Sequence, residues 1–561
     1  MILKAVSETH SVLTPLMQKC RTLNHLKEHH CQLLKLYLPE TPSSIAPLLS
    51  FAVNSRIPSF FNYSRIVFQN LGYQSTFLCN TMIRGYMQSE MPIPAIMCYK
   101  DMLRDKLIVN NYTIPPLIKA CSMVLNEFGQ LGFSVHAHSL KLGLQNDRFI
   151  VAALIEFYSL NLEMDRARML FDEIPDRDVV LFTTMIDGYG KIGEVGKARL
   201  LFEEMPERNV ISWSAMMAAY SRASDFKEVL CLYRRMEEDG LKPNESILVS
   251  VLTACAHLGA LAQGFWVHSL AKHYSYESNP ILATALVDMY SKCGRMELAS
   301  SVFEEMTHKD TGAWNAIISG FAMNGDAMKS VQLFYRMLAS GNQPNETTFV
   351  AVLSACTHAN MVDKGLSLFE RMGSVYGVEP RFEHRACVVD LLARAGKLED
   401  AEKFIDENMG GLEKGDANVW GALLGACRVY GDLKVGDRIW RKLSNMKVAD
   451  YGTYILAYNM YKEAGWEIEA NCVRKLIEQM RIKKQPGCSV VEVNGVVKEF
   501  LASDLLHPKS QLVRDVLESL PNSEARIAPC YVKWPVDIGN EIKNGCYAEL
   551  FGSQDCSNSM N

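Results

Sequence analysis

The side chains best suited to hold a metal or act as nucleophiles in this 561-residue chain are its 13 His and 16 Cys. Their spacing is unpromising. His384 and Cys387 are three apart, and His136 and His138 two apart. Neither pair extends to a four-ligand set, so both read as packing or surface residues. Cys121, Cys255, Cys356 and Cys427 sit in the near-identical settings IKACS, LTACA, LSACT and LGACR, and read as small buried thiols in reduced form. No P-loop, nucleotide fingerprint or G-x-S-x-G occurs. What does recur in register is hydrogen-bonding chemistry. A polar or small residue stands six positions before an aromatic: Asn80 before Tyr86, Ala152 before Tyr158, Thr183 before Tyr189, Ser214 before Tyr220, Thr284 before Tyr290 and Asn315 before Phe321.

The elements that must carry these groups follow from a second periodicity. A small residue at i, an aromatic at i+4 and usually Met or Ile at i+7 recur as Ala95/Tyr99/Met102, Ala167/Phe171/Ile174, Ala198/Phe202/Met205 and Val229/Tyr233/Met236. They return as Ala299/Phe303/Met306, Ser330/Phe334/Met337 and Gly365/Phe369/Met372, with a weaker copy at Ala401/Ile405/Asn408. Such positions share one helix face. Gly or polar turns (YGKIGEVG, YSKCGRME) and Pro/Gly/Asp/Asn clusters (MPERN, GLKPN) punctuate them, so each unit is helix, turn, helix. The small-residue positions are separated by 72, 31, 31, 70, 31, 35 and 36 residues, the two long intervals holding two units each. A hairpin of this size cannot bury its apolar face alone, so neighbours must stack.

Composition agrees with an ordered chain: 48% apolar and 22% charged. No run approaches ~18 apolar residues, so no transmembrane helix and no membrane association is expected. The net charge of −5 argues mildly against a broadly basic surface, although a basic groove remains compatible with it. The opening MILKAVSETH lacks the apolar core of a secretory signal, and the first Arg is Arg21.

Tetratricopeptide arrays are also helical hairpins, but their uniform ~34-residue period and W-x₂-L-G-x₂-Y signature are not present. The segments NTMIRGYMQSEMPIPAIMCYKDML, TALVDMYSKCGRMELASSVFEEM and NAIISGFAMNGDAMKSVQLFYRMLASGNQPN instead closely resemble pentatricopeptide repeats. The alternation of 35, 35–37 and 31 residues is similar to the P, L and S variants of the plant PLS subfamily. The resemblance implies an all-α fold, a right-handed α-solenoid superhelix. By it, 1–12 is an N-terminal extension, 13–75 degenerate L and S repeats, and 76–416 the main array. Residues 417–484 resemble E-type helical motifs and 485–508 the short β-rich segment that follows them. There Val490, Val491, Val493, Val496 and Val497 around Asn494–Gly495 independently read as a β-hairpin. Residues 509–561 form a divergent tail.

The resemblance further implies sequence-specific binding of single-stranded RNA, one nucleotide per repeat, read by the fifth and last residues of each. A small Thr or Ser at the fifth position leaves room for a purine, and longer Asn suits a pyrimidine. A final Asp only accepts hydrogen bonds, favouring G or U, whereas Asn also donates, favouring A or C. Asn80 with Asn110 then implies a pyrimidine, Thr183 with Asn209 A, Ser214 with Asn244 A, and Thr284 with Asp310 G. Asn315 with Asn345 implies a pyrimidine, C preferred. Ala152 with Asp178 departs from the pattern, because Ala152 offers no hydrogen bond. The fifth residues Pro115, Val249, Val350 and Ala386 are poor readers. The implied ligand is Y-n-n-A-A-n-G-Y. The second residues Phe77, Phe149, Val180, Ile211 and Ile281 would pack on base faces; Gly312 would not. Taken singly, each polar residue could equally be a helix N-cap or turn residue; recurrence in register favours recognition.

Many relatives with E-type segments continue into a cytidine-deaminase-like DYW domain. A zinc deaminase needs H-x-E and P-C-x-x-C. The tail has neither: Cys530, Cys546 and Cys556 are 16 and 10 apart, and the last His is His507. The expected function is therefore an organellar C-to-U RNA-editing site-recognition factor. It would have no enzymatic activity, cofactor or metal of its own, and would act with a DYW-type deaminase supplied in trans and with multiple organellar editing factor proteins. Mitochondrion is the expected location, with chloroplast the alternative. The other functional readings are an organellar RNA stability, splicing or translation factor and, of a different class, a protein-binding helical scaffold.

Overall fold

The computed structural model describes residues 20–35, 42–71, 74–276, 278–409, 417–446, 451–480, 488–493 and 496–501. The N-terminal extension, the Asn494–Gly495 turn and the tail 509–561 lie outside them. Helical hairpins make up nearly everything described, in two compact units divided between Asp225 and Phe226. Among the described residues, no helix is long and apolar enough to cross a membrane.

Both units are built by one rule. In seven repeats the last residue is the side-chain N-cap of the next helix; Asn110 stands before a turn whose helix starts after Thr113, and Arg381 caps without a side-chain bond. In the first unit, Asp147 accepts from the backbone N–H groups of Phe149 and Ile150, opening helix Arg148–Leu160. Asp178 accepts from Leu181 N–H to open Val179–Lys191, and Asn209 accepts from Ile211 and Ser212 to open Val210–Arg222. In the second unit Asn244, Asn279, Asp310 and Asn345 open Glu245–Leu258, Pro280–Lys292, Thr311–Met323 and Glu346–His358 in the same way. Each cap satisfies donors that a helix start leaves unpaired, worth about 1 kcal/mol apiece.

The 31-residue repeats end their second helix abruptly, and a basic side chain closes it. Arg177 Nε donates to the carbonyls of Phe171 (3.0 Å) and Ile174 (3.1 Å), and Arg208 Nε to that of Phe202 (3.0 Å). In the second unit Lys309 Nζ donates to Met306 O at 2.6 Å. Each cation also lies over the aromatic ring of its helix, 4.8 Å from Phe171, 5.1 Å from Phe202 and 5.3 Å from Phe303. A cation at a helix C-terminus is favoured by the exposed carbonyls and by the ring face alike.

The i, i+4, i+7 triplets form the core. Ala198, Phe202 and Met205, and likewise Ala299, Phe303 and Met306, are buried. The central ring meets an aromatic of the following hairpin edge-on: Phe171 with Phe182 (5.1 Å) and Phe202 with Trp213 (4.8 Å) in the first unit, Phe303 with Trp314 (4.9 Å) in the second. First helices of successive hairpins stack side by side, Val179–Lys191 on Val210–Arg222 and Pro280–Lys292 on Thr311–Met323. Gly190 permits the first of these approaches: a Cβ there would lie 2.5 Å from Ala219 Cβ.

The second unit carries the stack past the main array. One apolar cluster runs from Val388 and Leu392 through Trp420, Leu424 and Ile439 to Tyr461 and Val473. Glu402, on helix Leu398–Asn408, receives Arg438 (2.9 Å) and Lys442 (3.1 Å) from helix Leu433–Met446, tying the two hairpins by charge as well. Beyond helix Glu467–Met480, strands β1 (Cys488–Val493) and β2 (Val496–Leu501) pair antiparallel, with Cys488 opposite Leu501 and Val493 opposite Val496.

Candidate functional site

Last residues of repeats hold backbone N–H groups, as helix N-caps at Asp147, Asp178, Asn209, Asn244, Asn279, Asp310 and Asn345 and, at Asn110, in the turn before helix Ile114–Met123. Fifth residues lie one helical turn in from such a cap. The Asn–Asn pairs are brought into direct contact. Asn80 Nδ2 donates to Asn110 Oδ1 at 3.0 Å in the first unit, and Asn315 Nδ2 to Asn345 Oδ1 at 3.0 Å in the second. Backbone donors fix which end of each amide is which. Tyr112 N–H reaches Asn110 Oδ1 (3.1 Å) and Thr348 N–H reaches Asn345 Oδ1 (3.1 Å). An N–H can only donate, so the capping atom must be the oxygen. The amide facing that oxygen from Asn80 or Asn315 must then be Nδ2. The groups not spent in these bonds are the Nδ2 of the final Asn and, on the fifth Asn, the second N–H and the acceptor Oδ1.

A hydroxyl completes each pair. Thr113 Oγ1 donates to Asn80 Oδ1 at 2.7 Å, and Thr348 Oγ1 to Asn315 Oδ1 at 2.6 Å. The same oxygens accept from the N–H of Asn110 (3.2 Å) and Asn345 (3.0 Å). The two constellations, in different units, share the Asn–Asn bond and both Thr bonds and differ in the backbone donor to the final Asn, Tyr112 in one and Thr348 in the other.

The hydroxyl-bearing fifth residues behave differently. Thr183 Oγ1 donates to Val179 O (2.6 Å) and Thr284 Oγ1 to Pro280 O (2.8 Å), each on its own helix. With the proton committed, the oxygen offers only lone pairs outward, an acceptor for an N–H of a purine. Their partners Asn209 and Asp310 are both exposed while capping. Ala152 is half-buried, and the Asp178 carboxylate caps Leu181 N–H and lies 3.4 Å from Arg148 Nη1 in a solvent-exposed ion pair. Ser214 is half-buried on the last helix of the first unit, and Asn244 caps the second helix of the other. Pro115, Val249 and Val350 are half-buried.

A row of apolar side chains flanks these groups. Phe77, Phe149, Val180, Ile211 and Ile281 stand at 58%, 68%, 59%, 64% and 66% exposure, each at the second position of its repeat. Apolar residues this exposed at a fixed register favour a flat, stackable partner such as a nucleobase. Three residues beside these groups escaped the sequence reading. Tyr112, 73% exposed, occupies the second position of its repeat, and its offset alone would have found it. The hydroxyls of Thr113 and Thr348 were the other omission; their signal is that each stands three residues after a final Asn whose partner is also Asn.

The metal candidates resolve into packing. His384 is 1% exposed; its Nδ1 accepts from Arg381 N–H (2.9 Å) and its Nε2 donates to Glu346 O (2.9 Å). His136 and His138 meet the hydroxyls of Tyr158 (2.6 Å) and Tyr99 (2.8 Å). Cys121, Cys356 and Cys427 are buried and free, and burial pushes their thiols up, to about 11 for the first two and about 12 for the third. Thiols so protonated are poor nucleophiles. Among the described residues no three His, Cys, Asp or Glu side chains are grouped to hold a metal ion.

Comparison with known proteins gives the same repeats independently. The PPR repeat model matches residues 77–107, 180–210, 211–241, 282–310 and 347–374, a PPR repeat family model matches 309–358, and an E motif model matches 430–492. A pentatricopeptide repeat-containing protein of Arabidopsis thaliana is 42% identical over 499 residues, 89% of this chain and 80% of the relative. A second from the same plant, named putative and chloroplastic, is 40% identical over 508 residues, 91% of each chain. A third, named mitochondrial, is 39% identical over 457 residues, 82% of this chain and 66% of the relative. Among solved structures, the maize pentatricopeptide repeat protein PPR10 aligns with a TM-score of 0.48 at 15% identity, covering 84% of this chain and 79% of that one. The same protein in complex with an 18-nt psaJ RNA element aligns at 0.46 and 16% identity, covering 85% and 84%. With its repeats in register and an E motif behind them, this chain belongs to the pentatricopeptide repeat proteins, as an E-type member of the PLS subfamily.

Proposed function

We propose that this protein binds single-stranded RNA by sequence and marks a site for C-to-U editing in an organelle. The observation that carries the reading is the pairing of fifth and last residues. Asn80–Asn110 and Asn315–Asn345 present donor edges suited to the O2 that both pyrimidines share and to cytosine's N3, while Thr183 and Thr284 present acceptors beside Asn209 and Asp310. The exposed second-position side chains supply stacking faces between which bases would lie. Read 5′ to 3′ along the array, the ligand is Y-n-n-A-A-n-G-Y. The layout remains 76–416 for reading and 417–508 for the E-type end.

We assign the editing chemistry to a DYW-type deaminase acting in trans, recruited through the E-type hairpins, with multiple organellar editing factor proteins as further partners. The E motif match supports this over a role in transcript stability or splicing, which would leave that segment unused. Relatives named chloroplastic and mitochondrial support an organellar location. Mitochondrion is our assignment and chloroplast the alternative. Sequencing organellar transcripts from plants lacking the protein tests the reading. Loss of conversion at one or a few cytidines downstream of Y-n-n-A-A-n-G-Y, with normal transcript abundance, is the expected result. Falling abundance with every site still edited would overturn it in favour of a stability role.

A further inference from the structure

We propose that Thr113 and Thr348 are specificity-determining residues: each locks the amide of the preceding repeat's fifth-position Asn so that only its N–H groups face the base. The proposal rests on the base-reading assignment above. It starts from a co-occurrence within the chain. A Thr holds the third position of the next repeat only where an Asn–Asn pair precedes it. After Ala152/Asp178 that position is Leu181, after Thr183/Asn209 it is Ser212, after Ser214/Asn244 it is Ile247, and after Thr284/Asp310 it is Ala313. The repeats begun by Asn111, Glu245 and Glu346 are all of the L type, yet Ile247 breaks the series. The Thr therefore follows the fifth-position Asn and not the repeat class.

Helix capping alone does not account for the geometry. Ser212 also accepts from its cap residue's N–H (Asn209, 3.1 Å), but sends its own proton back to Asn209 O at 2.9 Å. Thr113 and Thr348 likewise accept the N–H of Asn110 and Asn345. Their hydroxyls lie 3.2 and 3.0 Å from Asn110 Oδ1 and Asn345 Oδ1, but the shortest acceptors, at 2.7 and 2.6 Å, are Asn80 Oδ1 and Asn315 Oδ1 across the repeat junction. Asn315 is only 8% exposed, so its carbonyl oxygen would be costly to leave unpaired. With that oxygen occupied, the amide cannot turn over without losing both the Thr bond and the Nδ2 bond to Asn345. A donor-only edge matches the O2 and ring-nitrogen acceptors of cytosine. It mismatches the N3–H of uracil, which needs an acceptor.

Removing the hydroxyl should free the amide to rotate and offer its oxygen to uracil. The test uses the full-length protein with Thr348→Val, which keeps the shape, and Thr348→Ser, which keeps the hydroxyl. Affinity is measured for four RNAs of the Y-n-n-A-A-n-G-Y series that differ only in the last base. The wild type should prefer C over U by about fivefold or more, in line with one to two hydrogen bonds. T348V should bring that ratio to within about twofold, mainly by gaining on U, and T348S should restore it. A T348V protein that loses affinity equally for all four bases, or keeps the wild-type ratio, would overturn the proposal while leaving the base-reading assignment standing. A wild type that does not distinguish the four last bases would overturn both.

Discussion

On the proposed reading Asn209 performs two tasks with one amide: its oxygen caps helix Val210–Arg222 through Ile211 and Ser212, and its Nδ2 meets the base. Substitution separates the tasks. Asn209→Asp keeps an acceptor for the cap but replaces the outward donor, so the base read with Thr183 should shift from A toward G with thermal stability nearly unchanged. Asn209→Ala should instead cost about 1 kcal/mol, seen as faster amide exchange in that helix. At the neighbouring kind of site, Thr284→Asn retains the Asp310 acceptor and fills the space a purine needs. Preference there should move from G toward U, as measured with RNAs varied at the seventh base. An unchanged preference would count against the assignment of these positions. Sequence spacing alone singles out all these residues as candidates, because they recur at fixed offsets. It could not say where a hydroxyl proton goes. The commitment of Thr284 to Pro280 O and of Thr348 to Asn315 Oδ1 depends on backbone placement that no residue pattern encodes.

Helices stack closely here because small residues line their contacts. Gly190→Ala would place a methyl 2.5 Å from Ala219 Cβ and 3.1 Å from its Cα, forcing Val179–Lys191 away from Val210–Arg222. The overpacking should cost about 1–3 kcal/mol in thermal or urea unfolding. A second elemental prediction concerns pH. His268, on helix Leu261–His273, meets the Tyr290 hydroxyl at 2.8 Å. Burial pulls its pKa down to about 4, Lys272 adds to the fall, and Glu305 opposes it. The folded value lies below the unfolded one of about 6.5, so the folded state holds this ring neutral. Its contribution is complete above pH 6.5 and is lost as pH falls toward 4. Replacing His268 with Gln should flatten the stability profile over that window relative to wild type; an unchanged slope would contradict the assignment. Apolar periodicity made the hairpins legible, down to the i, i+4, i+7 core. The Arg177, Arg208 and Lys309 closures of the short repeats were not foreseen. They depend on a basic side chain folding back over a ring, which a sequence records only as one more charge in a turn.

Along the described repeats one device recurs: a polar last residue holds the backbone at the start of the next helix, and on the proposed reading the same residue meets a base. The repeat order and the E-type end were both readable from residue spacing, since each short, long or standard unit keeps its own length. The allocation of bases to repeats follows from that spacing and is the central claim. Its most direct measurement is a competition experiment with the full-length protein, in which labelled Y-n-n-A-A-n-G-Y RNA is displaced by unlabelled matched or shuffled RNA of equal length over a range of salt concentrations. Charge alone would give equal displacement by both, with affinity falling as salt rises. The expected result is at least about tenfold stronger displacement by the matched RNA, persisting at high salt, because base-edge hydrogen bonds discriminate where phosphate contacts do not. Equal displacement at every salt concentration would contradict the account.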